Sequence, residues 1–238
     1  NVSVWRRNGV IILGPAAGQQ ACGETGMGRM LEAGELEEAV QRAFRVDALL
    51  LKNKKVLVTA GPTFEAIDAV RGLTNKSSGK MGYSLAQAAA EAGADVTLVS
   101  GPTSLTPPAV HKLIEIVSAQ QMLHAVEAEI SQVDIFISVA AVADYRVATI
   151  SQKKIKKSDK KMTLDLIPNP DILSTISHLP SPPFCVGFAA ETDQLEKNAM
   201  LKRRLKKLPL LVANLAQDAI GSDESELMLL DDHGKHML

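Results

Sequence analysis

Aromatic residues and cysteines are scarce in this chain of 238 residues. Only 3% of the residues are Phe, Trp or Tyr, so the core must be built from Ala, Val, Leu and Ile. The two cysteines, Cys22 and Cys185, lie far apart, which argues against a disulfide framework and predicts reduced thiols in the cytoplasm. The five histidines show no metal-ligand spacing with each other or with the cysteines, so we do not expect a protein-built zinc site.

A strong charge of one sign and long apolar runs are also lacking. The formal net charge is −1, which argues against nucleic acid or an anionic membrane as the main partner. No apolar stretch reaches the roughly 18 residues that a membrane-spanning helix needs. With 46% hydrophobic and 22% charged residues, the composition is typical of a globular protein.

The sequence pattern divides the chain into two segments and a connector. Residues 1–45 contain an apolar stretch predicted as a strand (8–15), a glycine-rich loop with Cys22 and a short amphipathic helix, too few elements to enclose a core. Residues 46–54 are predicted to be a linker, and residues 55–238 a large α/β domain. Because Asn1 is not a start methionine, we expect the sequence to be part of a longer chain.

Strands and helices alternate from Lys55 onwards. An Ala-rich helix (84–94) separates two apolar strands (55–61 and 95–102), and residues 134–145 form the most apolar predicted strand. Further strands are predicted at residues 113–118, 162–168, 183–192, 210–214 and 226–232. This alternation predicts a Rossmann-like three-layer sandwich with a mostly parallel sheet and helices on both faces. Ligands of such sheets bind beyond the carboxyl ends of the strands.

A glycine-rich segment, SSGKMG at residues 77–82, precedes the Ala-rich helix. Its small residues would let backbone N–H groups approach an anion, and Lys80 would add a positive charge. The spacing matches neither the P-loop nor the dinucleotide-binding pattern. A plain helix-capping loop and a phosphate site therefore both remain open from this segment alone.

Asn75 and Asp144 are candidate polar groups of a site. The Asn75 amide could stabilise a developing oxyanion, although an Asn in a loop is more often a turn former. Asp144 follows an apolar strand, where it could hold Mg²⁺ beside a triphosphate or simply cap a turn. Cys185 lies within an apolar strand and is best explained as a small buried hydrophobe, whereas Cys22 is the better candidate for chemistry.

The segment QKKIKKSDKK (152–161) carries six lysines within ten residues. A solvated basic loop is the ordinary explanation of such a run. Its place just after the AAVADY strand end favours a flap that brings ammonium groups over phosphates.

Six motifs, taken together and in this order, resemble the phosphopantothenate–cysteine ligase family, as found in the ligase domain of the bacterial bifunctional proteins of coenzyme A biosynthesis. The resemblance extends from about Lys54 to Leu238. The motifs are TAGPTFEAIDAVRGLTNKSSGKMG (59–82), AAVADYR (140–146), KIKK (154–157), NPDIL (169–173), GFAAET (187–192) and VAN (212–214).

This resemblance implies a reaction and its ligands. The family joins 4′-phosphopantothenate to L-cysteine with CTP and Mg²⁺ through an acyl-cytidylate, and a homodimer is expected. Asn75 matches the family's Asn beside the acyl-phosphate, Lys154 its flap lysine, and Asp144 the acid near the Mg-triphosphate. Ala140 would start the loop around the intermediate. Further nucleotide- or substrate-binding positions are expected at Gly61, Arg71, Ser78, Gly79, Lys80, Lys156, Lys157, Ala190, Asn214 and Ile220.

The first segment resembles the carboxyl-terminal end of the flavin-dependent phosphopantothenoylcysteine decarboxylase domain. The resemblance implies that Cys22 lies on a substrate-covering loop, and that FMN and the remaining catalytic residues belong to a part upstream of Asn1. The parent chain is therefore expected to decarboxylate the ligase product. Phe64, Ala66 and Leu215 depart from the ligase pattern, and Ile220 stands where an aromatic residue is common near the base.

Two alternatives come from other functional classes. A dinucleotide oxidoreductase would need a glycine fingerprint directly after the first strand and an acid at the end of the second, but the second strand ends in Ser100-Gly101. A non-catalytic nucleotide-binding module would keep the pocket without the chemistry, and only a measurement of turnover separates it from a ligase.

Overall fold

The computed structural model describes residues 5, 10, 12–19, 25–44, 49–157, 159, 161–191, 194–215 and 226–238. The chain divides into two compact units, Asn1–Ala48 and Leu49–Leu238. The division falls within the predicted connector, while the assignment of the first unit to a decarboxylase stays a prediction.

The first unit contains an antiparallel pair of strands and one helix. Strand β1 (Ala16–Gln19) pairs with β2 (Thr25–Arg29), and helix α1 (Ala33–Phe44) follows. Residues 12–15 belong to no strand, so the predicted strand over 8–15 is displaced towards β1. Cys22 lies outside the described residues.

The second unit alternates strands and helices as predicted. In chain order its elements are β3 (Lys55–Ala60), β4 (Phe64–Ala66), β5 (Gly72–Thr74), α2 (Lys80–Glu91), β6 (Asp95–Ser100), β7 (Lys112–Glu115), α3 (Ala119–Glu129), a 3₁₀ turn (Ile130–Gln132), β8 (Ile135–Ser138), β9 (Tyr145–Val147), β10 (Leu166–Pro168), α4 (Ile172–Ser177), β11 (Phe184–Glu191), α5 (Leu195–Leu205), β12 (Leu210–Leu215), β13 (Met228–Asp231) and β14 (Gly234–Met237).

The central sheet has the strand order β14-β13-β12-β11-β8-β3-β6-β7. Six neighbouring strands of this sheet, β12, β11, β8, β3, β6 and β7, run parallel to one another. Strands β13 and β14 add an antiparallel edge next to β12. The predicted Rossmann-like α/β fold is therefore confirmed. The chain leaves β3 towards β7 and returns to β8 on the other side of β3, so the strand order reverses between β3 and β8. In such sheets the ligand crevice opens at this point.

Helices cover both faces of the sheet. One core joins Leu57 and Phe136 of the strands to Met122 of α3 and Ile176 of α4, and all four side chains are buried. The other core lies under α2. There Gly82 packs so closely that an added Cβ would stand 2.5 Å from the Cβ of Ala60, and the small side chains of the Ala-rich helix serve this close packing.

In the second unit, two predicted strands differ from the observed ones. The apolar run 134–145 forms a sheet strand only over β8, because residues 139–144 cross the end of β3 as a loop. Residues 145–147 then pair with β10 as a separate antiparallel hairpin, so the strand predicted at 162–168 lies outside the main sheet. The short hairpin β4–β5 was not predicted, because its strands have only three residues each.

Cys185 lies in β11 and is buried, as predicted. Burial in an apolar environment raises the pKa of its thiol to about 11, so the group stays protonated and inert at neutral pH. Among the helices that the structure describes, none is both long and apolar enough to cross a membrane.

Candidate active site

A cavity of about 1120 Å³ opens at the carboxyl ends of β3 and β8. It lies where the strand order reverses, as the parallel sheet predicts. The structure brings together here nine of the predicted site residues: Gly61, Asn75, Ser78, Gly79, Lys80, Ala140, Asp144, Ala190 and Asn214. Residues from four separate motifs thus line one space.

The TAGPT segment holds the loop 139–144 in place. The backbone N–H of Ala140 donates to Oγ1 of Thr59 (3.3 Å), and that of Ala143 donates to Oγ1 of Thr63 (3.0 Å). Both threonines are buried, so these hydroxyls are fixed acceptors. Gly61 has a φ of 74°, a left-handed conformation that glycine adopts without strain, and its carbonyl accepts from Ala141 N–H (2.9 Å).

Asn75 bridges two loops at the cavity wall. Its side-chain Nδ2 donates to the carbonyl of Ala141 (2.5 Å), and its Oδ1 accepts from the backbone N–H of Ser77 (3.3 Å). The amide therefore forms the turn of its own loop and also lines the cavity, while its role beside a reacting group stays a prediction.

The amino terminus of α2 faces the same cavity. The helix begins at Lys80, earlier than predicted, because Gly79 with a φ of 84° serves as the cap and lets the chain turn directly into the helix. The hydroxyl of Ser78 accepts from Lys80 N–H (3.4 Å), and Oγ1 of Thr103 donates to the carbonyl of Ser78 (2.9 Å). The positive end of the helix dipole and Lys80 together favour an anion here.

Asp144 lies at the rim of the cavity with an exposed side chain. Asn169 fixes its backbone, because Asn169 N–H donates to the carbonyl of Asp144 (2.8 Å) and Asn169 Nδ2 to that of Ala143 (2.8 Å). Within the described ranges no group of three or more His, Cys, Asp or Glu could hold a metal ion. A single exposed carboxylate fits Mg²⁺ that arrives with a nucleotide, since this ion keeps several waters and binds substrate phosphates.

The far wall of the cavity contains residues that sequence reasoning missed: Phe188, Asp171, Lys202 and Lys206. The Lys202 ammonium donates to the carbonyl of Phe188 (3.0 Å), and Lys206 pairs with Asp171 (2.7 Å). Burial is the largest single effect on Asp171 and opposes its ionisation. The hydrogen bonds from Lys206 and from Ser174 N–H and the charges of Lys206 and Lys202 together outweigh it and hold the pKa of Asp171 below its ordinary value. Lys202 lies in the last turn of α5 and Lys206 is the residue that caps its end, so the two lysines are four residues apart and lie on the same side of the helix. The surrounding charges of the KRRLKK sequence hide this signal.

Among the described residues, four predicted site residues do not line the cavity: Arg71, Lys154, Lys156 and Lys157. The three lysines are exposed. The Arg71 guanidinium contacts Asp68 (3.1 Å) and the carbonyl of Ile155 (2.8 Å). Ile220 lies outside the described residues, as does Cys22.

Comparison with known proteins identifies relatives of the whole second unit. Residues 51–238 match the family described as DNA/pantothenate metabolism flavoprotein C-terminal domain. The chain is 53% identical over 217 residues to the coenzyme A biosynthesis bifunctional protein CoaBC of Vibrio vulnificus, a match that covers 90% of this chain and 54% of that protein. It is 44% identical over 246 residues to the Escherichia coli protein of the same name, with 100% and 60% covered.

A solved structure shares the fold. The crystal structure of the C-terminal domain of a coenzyme A biosynthesis bifunctional protein CoaBC superposes with a TM-score of 0.69 at 39% identity, covering 80% of this chain and 88% of that one. The present chain spans little more than half the length of the curated relatives, 54% of the Vibrio vulnificus protein and 60% of the Escherichia coli one.

Proposed function

The chain belongs to the DNA/pantothenate metabolism flavoprotein C-terminal domain family, and on this premise we propose that it joins 4′-phosphopantothenate to L-cysteine with CTP. The match of residues 51–238 to this family confirms the resemblance that the six sequence motifs predicted. The relatives are named for coenzyme A biosynthesis, and the proposed amide bond is a step of that kind. We expect the reaction to take place in the cytoplasm.

One observation carries the proposal: the cavity at the strand reversal combines an anion-binding helix terminus, an exposed carboxylate and a polar amide. The α2 amino terminus with Lys80 suits phosphate, Asp144 suits a hydrated Mg²⁺, and Asn75 suits a polarised acyl group. A dinucleotide oxidoreductase would instead place a glycine fingerprint directly after β3. The sequence there, GPTFEA, enters the β4–β5 hairpin.

In the first proposed step, a carboxylate oxygen of phosphopantothenate attacks the α-phosphorus of CTP. The bond between the α-phosphorus and the bridging oxygen breaks, and pyrophosphate leaves with that electron pair. The acyl-cytidylate is the product. Mg²⁺, when bound, would neutralise phosphate charge at Asp144. Asp171 balances the charge of Lys206, so Lys202 is the lysine of this wall that would add positive charge inside the cavity, and Lys154 would supply it from outside.

In the second proposed step, the cysteine amine attacks the acyl carbon of the cytidylate. The carbon–oxygen bond to the phosphate breaks, CMP leaves, and the amine loses a proton to solvent as the amide forms. Charge develops on the acyl oxygen during this attack. Nδ2 of Asn75 carries two hydrogens and gives one of them to the carbonyl of Ala141, so its second N–H is the polar group that we propose receives this charge.

Turnover tests this proposal directly. We expect pyrophosphate release that requires both CTP and phosphopantothenate, with little release when ATP replaces CTP, and amide formation only after cysteine is added. Release of pyrophosphate with ATP and CTP at equal rates would contradict the choice of nucleotide. Binding of CTP without any release would instead identify the non-catalytic module.

We further propose that the ligase unit forms a homodimer through its two short hairpins. Strand β4 packs against β9, and these hairpins and their neighbouring loops carry the exposed apolar side chains of Val70, Tyr145, Ile150 and Leu166. Exposed apolar groups concentrated in this way are typical of protein–protein contacts.

Sedimentation measures the assembly. We expect the wild-type chain to sediment at twice the monomer mass and the Leu166→Glu variant at the monomer mass, because a charge in an apolar interface loses its hydration. Leu201→Glu, on the exposed face of α5, is the matched control and should stay dimeric. A monomeric wild type would contradict the proposed assembly.

A further inference from the structure

Residues 152–157, here called the lysine segment, are anchored at Ile155. Two side chains of the turn between β4 and β5, more than eighty residues earlier in the chain, hydrogen-bond to this residue. The backbone N–H of Ile155 donates to Oδ2 of Asp68 (3.0 Å), and Nη2 of Arg71 donates to the carbonyl of Ile155 (2.8 Å). Just before the segment, the N–H of Ser151 donates to the carbonyl of Ile67 (3.1 Å). The turn that joins β4 to β5 thus holds both backbone groups of Ile155.

Asp68 is built into this turn as a buried acceptor. Its side chain has 0% exposure, and its Oδ1 accepts the backbone N–H groups of Val70 (2.8 Å) and Arg71 (3.0 Å). The Ile155 N–H is the largest cause that holds the pKa of Asp68 below its ordinary value, against the effect of burial. One oxygen therefore organises the turn, while the other reaches Ile155.

Ile155 is the residue between Lys154 and Lys156, so whatever fixes its backbone also fixes where both lysine side chains begin. An ammonium group on a long flexible side chain can reach a phosphate only from a limited region of backbone positions. Displacement by about 1 Å of a group that acts on a reacting centre can reduce a rate by about 10²-fold.

We propose that Asp68 is a positioning residue, which acts through Ile155 to place the lysine segment for phosphate contact, with Arg71 as the second anchor. The inference rests on the proposed function for the role of the lysines, but the anchor itself rests on the contacts above. In this proposal the Arg71 side chain, which was expected to bind nucleotide or substrate, belongs to the anchor.

The anchor is tested without substrate by the Asp68→Asn variant. The amide keeps the size of the carboxylate but loses its charge and brings an N–H₂ group against the donors of Ile155 and Arg71. We expect trypsin to cut after the lysines of the segment (Lys153, Lys154, Lys156 and Lys157) at least several-fold faster than in the wild type, because an opened segment is cleaved more readily. Asp134→Asn is the matched control, since Asp134 also accepts a backbone N–H, from Lys55 (2.8 Å), but at the other end of β3. Equal cleavage of Asp68→Asn and wild type would overturn the proposal.

Kinetics tests the positioning role. We expect Asp68→Asn to lower kcat for pyrophosphate release by about 10²-fold with little change in KM for CTP. Combined with Lys154→Ala, its effect should fall well short of the product of the two single effects, because both changes remove the same contact. Fully multiplicative effects would identify a merely structural role and overturn the proposal. A wild type that releases no pyrophosphate would contradict the proposed function, while the cleavage assay would still decide the anchor.

Discussion

Asn75→Asp should block amide formation while pyrophosphate release continues, so that the acyl-cytidylate accumulates. The Asn75 Nδ2 donates to the carbonyl of Ala141 at 2.5 Å, and a carboxylate cannot donate. The substitution therefore places an anionic oxygen against a carbonyl oxygen and beside the phosphate of the intermediate. Loss of one such polar contact lowers a rate by on the order of 10²–10³.

A rapid-quench assay that separates pyrophosphate, cytidylate and amide measures this effect. Asn53→Asp is the matched control, because Asn53 lies in the turn before β3 and undergoes the same chemical change. It should keep wild-type rates in both steps. If Asn75→Asp also forms the amide at the wild-type rate, the assignment of Asn75 to the reacting group is wrong even though the family is right.

Lys154→Ala should fold and bind CTP but release pyrophosphate slowly. The side chain is exposed, so its removal leaves the core intact. Its proposed work is to bring a positive charge over the leaving pyrophosphate, and loss of one such charge lowers kcat by on the order of 10²-fold or more. Lys154→Arg keeps the charge and should recover part of the rate.

The neighbouring Lys153→Ala is the control for Lys154, since it removes an equal charge one residue away. We expect it to stay close to wild-type turnover in the same pyrophosphate assay. The CTP-induced rise in melting temperature should be alike for wild type and both alanine variants, because binding to the native state sets that rise. An equal loss of kcat in Lys153→Ala and Lys154→Ala would show that the segment acts only through its total charge, and wild-type kcat in both would contradict the role of Lys154.

The parallel sheet and the position of the cavity at its strand ends could be predicted because most of the parallel strands are visible in the sequence as short apolar runs. TAGPT and AAVAD both follow apolar runs, and the alternation of strands with helices implies that their ends meet. Asn75 and Gly79 could be placed near them from their position between β3 and the Ala-rich helix.

Other features could not be predicted, because they depend on contacts between residues that are far apart in the sequence. The apolar residues 139–142 are typical of a strand, yet they form a loop because Thr59, Gly61 and Thr63 hydrogen-bond their backbone across the end of β3. Lys202 and Lys206 could not be distinguished from the other charges of α5 without the cavity. Asp68 accepts the backbone N–H of Ile155, which lies 87 residues later in the chain, and no local pattern around Asp68 indicates this contact.

The contact between Gly82 and Ala60 has a consequence for ligand discovery. Gly82 contributes no side chain at this contact, and a Cβ added to it would stand 2.5 Å from the Cβ of Ala60, so the helix already lies as close to the strand as packing allows and the end of α2 cannot move towards the sheet. The α2 terminus, which we propose binds an anion, and the loop that Thr59 holds are therefore two fixed walls of the cavity attached to the same strand. A rigid inhibitor that spans them with one acidic and one hydrogen-bonding group would bind without ordering either wall. A flexible compound of equal contacts would lose its own conformational freedom on binding.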